Sequence, residues 1–145
     1  MKTNDVMETG THSEKRTANH FMNRDTPIFK KETPCDALLS EMLTGQFTRL
    51  PIVDDQDRLI GIVDQGDLLK MALKRGSLKQ MCAAEMMKES FFILTHCPSF
   101  QVARALRDNH LHDVPVVDHD NHVMGMITAK SVFRQNRLNN HPIER

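Results

Sequence analysis

Leu50-Pro51-Ile52-Val53-Asp54, followed by Gly61-Ile62-Val63, returns 64 residues later as Val114-Pro115-Val116-Val117-Asp118 and Gly125-Met126-Ile127. Outward from this stretch, residues 22 to 70 lie over residues 86 to 134 at the same offset with no gap, so that Met22 meets Met86 and Pro34 meets Pro98. Proline fixes the backbone and glycine frees it, so their recurrence at one spacing argues for one supersecondary unit built twice. Halves this short are expected to pack on each other as one module.

Within each half the apolar pattern changes period. Leu38, Leu39, Met42 and Leu43 have helical spacing after Thr33-Pro34, which predicts Thr33 as N-cap and Pro34 at the first helical position. The matching helix starts at Cys97-Pro98 and carries Val102, Ala103 and Leu106. Short apolar runs follow, Leu50 to Val53 and Val114 to Val117, then acidic and amide turn residues, then second runs from Leu59 to Val63 and Val123 to Ile127, which reads as a hairpin in each half. Asp64 and Thr128 open helices through Leu68-Leu69-Lys70-Met71-Ala72-Leu73 and Val132-Phe133.

With a strand ahead of each first helix, the order in each half is strand, helix, strand, strand, helix, an α+β fold. The reading gives a disordered arm at 1–17, a first repeat at 18–75, a linker at 76–83, a second repeat at 84–135 and a polar tail at 136–145.

Composition narrows the function. The 145 residues are 39% hydrophobic, and 19 basic residues balance 19 acidic ones. No global field favours nucleic acid or an anionic membrane. Apolar stretches are only a few residues long and the first twenty residues lack a signal-peptide core, so the expectation is a soluble, cytoplasmic protein. Cys35, Cys82 and Cys97 form an odd set without C-x-x-C spacing, which fits reduced thiols better than a disulfide framework or a zinc site.

Tryptophan and tyrosine are absent, so a nucleobase must be met by phenylalanine or aliphatic walls. His96, His110, His112, His119 and His122 cluster in the second half near Asp118 and Asp120, but two lie in a hairpin turn and two flank Leu111, so no metal site is assigned. His96-Cys97-Pro98 has the form of a haem-responsive pattern, but Pro98 already has a role at a helix start. No phosphate loop, nucleophile elbow or catalytic triad is present, and no catalytic residue is assigned.

The repeated Pro-hydrophobic-Val-Asp and Gly-led runs, with Gly61-Ile62-Val63-Asp64-Gln65-Gly66-Asp67 echoed by Gly125-Met126-Ile127-Thr128-Ala129-Lys130-Ser131, resemble a tandem pair of cystathionine-beta-synthase (CBS) domains over about residues 18 to 135. The resemblance implies two pseudo-symmetric CBS repeats and a regulatory, non-enzymatic module that binds an adenosine-containing ligand in the cleft between repeats and pairs into dimers. It implies no required cofactor, with an adenine nucleotide or S-adenosylmethionine as the ligand. In that family the residue after the Gly-led strand touches phosphate and an Asp three positions later holds ribose.

The first half then keeps the ribose carboxylate, Asp67, but sets Asp64 where phosphate would meet repulsion. The second half keeps Thr128 beside Lys130 for phosphate, with Ser131 as a weaker ribose clamp. Arg49 matches a basic position that reaches phosphate, and Ile28 and Phe92 replace polar residues on the first strands. The implied ligand-binding set is Ile28, Phe29, Arg49, Pro51, Asp64, Asp67, Phe92, Ile93, Pro115, Thr128, Lys130 and Ser131. Capping alone also accounts for Asp64 and Thr128.

The helix Leu68–Leu73, apolar on more than one face, predicts a homodimer contact together with Val132 and Phe133. A separate effector protein is expected, and nucleic acid and membrane are not. The alternative is a ligand-free dimerisation or partner-docking module with decayed pockets.

Overall fold

The computed structural model describes residues 16–132; most of the expected arm, Phe133 and the tail lie outside the described residues. In the first repeat, β1 (Phe29–Lys30) lies parallel to β2 (Arg49–Val53), with Phe29 opposite Ile52. Parallel strands need a crossover, and α2 (Cys35–Thr44) supplies it. Strand β2 then pairs antiparallel with β3 (Leu59–Asp64), Arg49 facing Asp64 and Leu50 facing Val63, and α3 (Gln65–Arg75) follows at once.

The second repeat has the same order: β4 (Ile93–Leu94), α5 (Ser99–Asp108), β5 (Asp113–Val117), β6 (Val123–Thr128), and a helical start at 129–132. The strand-helix-strand-strand-helix reading holds in both. Both hairpin turns carry a left-handed residue at matching positions, Asp57 (φ 63) and Asn121 (φ 71), residue types that tolerate that conformation.

Two expectations change. Pro34 and Pro98 are themselves the N-caps, in extended conformation, and the helices begin at Cys35 and Ser99. Thr33 cannot cap because its backbone is held elsewhere: its N–H donates to the Lys30 carbonyl (3.1 Å) and its carbonyl accepts the Ala83 N–H (2.8 Å).

The constant offset also fails at its start. A short helix precedes each repeat, α1 (Ala18–Phe21) and α4 (Ala83–Met86), with Thr17 and Cys82 as N-caps and Met22 and Met87 as C-caps. Met22 therefore matches Met87, not Met86. The extra residue is taken up before the first strand, with five residues between Asn23 and Phe29 and four between Lys88 and Ile93.

The residues group into two compact units that do not follow chain order. One contains Pro27–Ser90 with Asp120–Val123; the other contains, of the described residues, those up to Thr26, Phe91–His119 and those from Met124. In the first unit Lys88 and Ile62 exchange two backbone hydrogen bonds, both 2.9 Å. In the second, Asn23 and Met126 do the same at 2.7 and 3.1 Å. The segment ahead of each repeat thus joins the sheet of the other.

The approach is close enough to require glycine. A Cβ on Gly125 would stand 2.6 Å from the Asn23 carbonyl oxygen, and one on Gly61 would meet Met87 Sδ at 3.0 Å and the Lys88 carbonyl oxygen at 3.2 Å. Beneath the second unit's sheet lie Phe21, Ile93, Val102, Val116 and Ile127. Leu38, Leu50, Ile52, Val63 and Leu68 are buried in the first. Each such side chain contributes about 1.5–3 kcal/mol by leaving water, which is what fixes the strand ends that carry the polar groups described next.

Candidate functional site

A polar constellation built around residues read in the sequence lies at the end of β3. Antiparallel register sets Arg49, the first residue of β2, across from Asp64, the last of β3, and Arg49 Nε donates to Asp64 Oδ2 at 2.9 Å. The other carboxylate oxygen caps α3, accepting the Gly66 N–H at 2.8 Å and the Asp67 N–H at 3.4 Å. Both Asp64 oxygens are therefore engaged by the protein itself, as capping predicts. One turn on, Asp67 Oδ2 meets Lys88 Nζ at 3.1 Å, the two side chains being 35% and 51% exposed.

This arrangement revises the charge expected at the site. Asp64 and Asp67 do not stand as two bare negative charges: Arg49 and Lys88 balance them, so repulsion of a phosphate by Asp64 is offset by an adjacent guanidinium. Lys88 was not among the residues read from the sequence. Its only signal there is indirect, and it emerges once the one-residue shift is known. Lys88 then matches Asn23, while Asp67 matches Ser131. The ion pair of one unit is replaced at both ends by neutral groups in the other.

In the second unit Thr128 and Ser131 serve each other. The Ser131 N–H donates to Thr128 Oγ1 (2.9 Å), the Thr128 N–H to Ser131 Oγ (3.2 Å), and Ser131 Oγ to the Thr128 carbonyl (2.9 Å). Asn23 Oδ1 accepts the Asp25 N–H at 2.8 Å. Lys130 is exposed. The remaining carried-over residues divide by burial. Ile28 and Phe92 are half-buried just ahead of β1 and β4, and Phe29 is half-buried within β1, whereas Pro51, Ile93 and Pro115 are buried.

Other groups are placed differently. Burial alone pushes the Cys97 thiol up to about 12. Among the described residues no group of three or more His, Cys, Asp and Glu side chains could hold a metal ion, and no helix is long and apolar enough to cross a membrane. A concavity of about 450 Å³ in the second unit is lined by Leu106, Arg107, His110, Leu111, His112 and Val132, with Ala103 and Ala129. None of the carried-over ligand residues lines it.

On the helix expected to form a dimer contact, Leu68 is buried while Leu69 is 42% and Leu73 88% exposed; Leu43 on α2 is 62% exposed. Val132 is buried in the second unit's core and lines the concavity described above. Phe133 lies outside the described residues.

Comparison with known proteins follows this geometry. The CBS domain model matches residues 18–74 and 82–136. Among curated proteins, inosine-5'-monophosphate dehydrogenase of Thermoplasma acidophilum is 29% identical over 115 residues, 79% of this chain and 22% of its own. A homoserine O-acetyltransferase of Methanocorpusculum labreanum is 26% identical over 117 residues, 80% of this chain and 23% of its own. The chain thus spans about a quarter of the length of these relatives.

Among solved structures, CBSX2 in complex with AMP superposes with a TM-score of 0.73 at 24% identity, over 86% of this chain and 98% of that one. The CBS domain pair of protein MJ0100 in complex with 5'-methylthioadenosine and S-adenosyl-L-methionine gives 0.73 at 21%, with the same coverage.

Proposed function

This chain belongs to the CBS domain family, and we propose that it is a non-catalytic regulatory module that binds an adenosine-containing ligand. The observation that carries the reading is the paired acid-base arrangement at the end of β3, where Asp67 and Lys88 stand beside Arg49 and Asp64. A carboxylate can accept from two vicinal ribose hydroxyls at once, and Asp67 is half-exposed in the first turn of α3. Arg49 and Lys88 supply positive charge for a phosphate, so the first unit has the chemistry for both ends of a nucleotide. The second unit, with Ser131 and Asn23 at the matching positions, has neither the charged acceptor nor the second cation.

That solved CBS pairs hold AMP or S-adenosylmethionine supports this class of ligand. Inosine-5'-monophosphate dehydrogenase and homoserine O-acetyltransferase are each several times longer than the shared segment, and we assign neither activity to this chain.

A second reading is favoured by a specific observation. Asp64, Thr128 and Ser131 satisfy local backbone groups, as caps do in a module that binds nothing, while Leu43, Leu69 and Leu73 leave apolar surface on α2 and α3. This suits a dimerisation or partner-docking module, with a second copy or an effector protein covering those leucines.

Thermal shift against adenosine, AMP, ADP, ATP, S-adenosylmethionine and NAD separates the two. A ligand at 100 times its dissociation constant adds about 2.7 kcal/mol. Wild type is expected to respond to adenosyl compounds and Asp67→Ala to lose at least about tenfold in affinity, as removal of a hydrogen bond to a charged group does. Equal affinity in the variant would remove Asp67 from the site, and no response to any compound would favour the docking module.

A further inference from the structure

We infer that Cys35 and Cys82 are an oxidisable pair that closes to a disulfide joining the first residue of α2 to the N-cap of α4. The inference does not depend on the ligand proposed above. Pro34 and Cys82 oppose each other in an antiparallel bridge, flanked by hydrogen bonds from the Cys35 N–H to the Met81 carbonyl (2.9 Å) and from the Ala83 N–H to the Thr33 carbonyl (2.8 Å). Opposed residues enclosed in this way have Cα atoms about 4.5 Å apart. Cys35 is the next residue along, which brings its Cα into the range of about 4.4–6.8 Å that a disulfide spans. After burial, Cys82 is the largest influence raising the Cys35 thiol, ahead of Glu85 and Asp36.

The second unit provides an internal comparison. There Thr17 opposes Pro98 in the same bridge, with the Ser99 N–H on the Arg16 carbonyl (3.0 Å) and the Ala18 N–H on the Cys97 carbonyl (2.8 Å). Thr17 and Ser99 occupy the positions of Cys82 and Cys35. The same backbone frame therefore carries two hydroxyls in one unit and two thiols in the other. Thiols are not needed to build this frame, and both positions differ together. Cys97 belongs to the other unit and is buried.

Exposure assigns the order of events. Cys82 is part-exposed and Cys35 fully buried. With glutathione disulfide as oxidant, the Cys82 thiolate attacks one glutathione sulfur, forming a mixed disulfide and releasing one glutathione thiolate. Cys35 then loses its proton to water and attacks the Cys82 sulfur, and the bond to the second glutathione breaks. Two protein thiols are oxidised and one glutathione disulfide is reduced to two glutathiones. Because burial and the neighbouring Cys82, Glu85 and Asp36 push the Cys35 thiol up to about 11, the second step is slow at neutral pH. It accelerates about tenfold per pH unit between 7 and 9, in step with the thiolate fraction.

The test uses the full chain, incubated with millimolar glutathione disulfide, quenched with acid and unfolded in excess alkylating agent, then digested and mapped by mass. The expected result is a linked Cys35–Cys82 peptide with Cys97 recovered alkylated, and a melting temperature at least about 5 °C above that of the reduced protein, because a long loop has been closed. Cys35→Ser should stop at the stage of glutathione on Cys82, and Cys82→Ser, at the less buried position, should prevent reaction of Cys35. The proposal is overturned if wild type keeps glutathione on Cys82 with Cys35 alkylated, if Cys82 links two chains, or if all three thiols are recovered.

Discussion

Replacing Lys88 by Met separates the two roles assigned to the cation beside Asp67. The ion pair has an N–O distance of 3.1 Å and both members are part-exposed, with side-chain exposures of 51% and 35%. A pair in that setting contributes about 0.2–1 kcal/mol. Adenosine, which has no phosphate, must take the Asp67 carboxylate from Lys88, so removal of the lysine should tighten adenosine by the same amount, about 1.4- to 5-fold. AMP gains that relief but loses a charge-assisted contact to its phosphate, about 1.5–3 kcal/mol, or roughly 10- to 150-fold.

The preference for AMP over adenosine should therefore fall by at least about tenfold, and the salt dependence of AMP binding should flatten. Titration calorimetry with both ligands at two ionic strengths measures each quantity, with Asp67→Ala as the reference for a lost ribose contact. If Lys88→Met changes adenosine and AMP by the same factor, the lysine does not meet phosphate; if adenosine weakens, the lysine is not a competitor for Asp67.

Two further predictions concern the close backbone approaches and the buried thiols. Gly125→Ala should lower stability by about 1–3 kcal/mol in urea titration, because its Cβ would stand 2.6 Å from the Asn23 carbonyl oxygen, a backbone atom held by two hydrogen bonds. Gly61→Ala should cost less, since the nearest atom it meets is the movable Met87 sulfur; equal costs would refute the distinction. Alkali should destabilise the protein through its buried thiols. Burial raises Cys97 from 9.0 to about 12, so the folded state holds its proton more tightly than the unfolded chain does; that stabilisation is fully present below about pH 9 and is lost as pH rises towards 12. Urea midpoints measured from pH 8 to 11 should fall, and Cys97→Ala should flatten the decline.

Most of the fold was legible because its signals are side-chain signals. Pro51, Pro115, Gly61 and Gly125 mark matching positions on strands β2, β5, β3 and β6, and the helical spacing of Leu38 and Met42 marks a face that is indeed buried. The error at Thr33 arose because a threonine before a proline is a good cap in isolation, and its backbone commitment to Lys30 and Ala83 leaves no trace in residue type. The same reason hid the exchange of leading segments: Asn23 and Lys88 join their sheets by backbone hydrogen bonds that any residue can make.

The candidate site was legible in half. Arg49, Asp64 and Asp67 follow from the motif, whereas Lys88 lies in a stretch read at the offset of 64, which paired it with Arg24 and so concealed its relation to Asn23.

The exchange of segments changes what counts as a separable piece of this chain. A cut between residues 74 and 82, where sequence similarity divides the repeats, would take Lys88 away from the strand it pairs with and leave Asn23 attached to the fragment that lacks Met126. Each fragment would expose a glycine-lined strand edge shaped for a peptide it no longer owns. The two fragments mixed together should recover what each lacks, because each unit is completed by a segment from the other side of the cut.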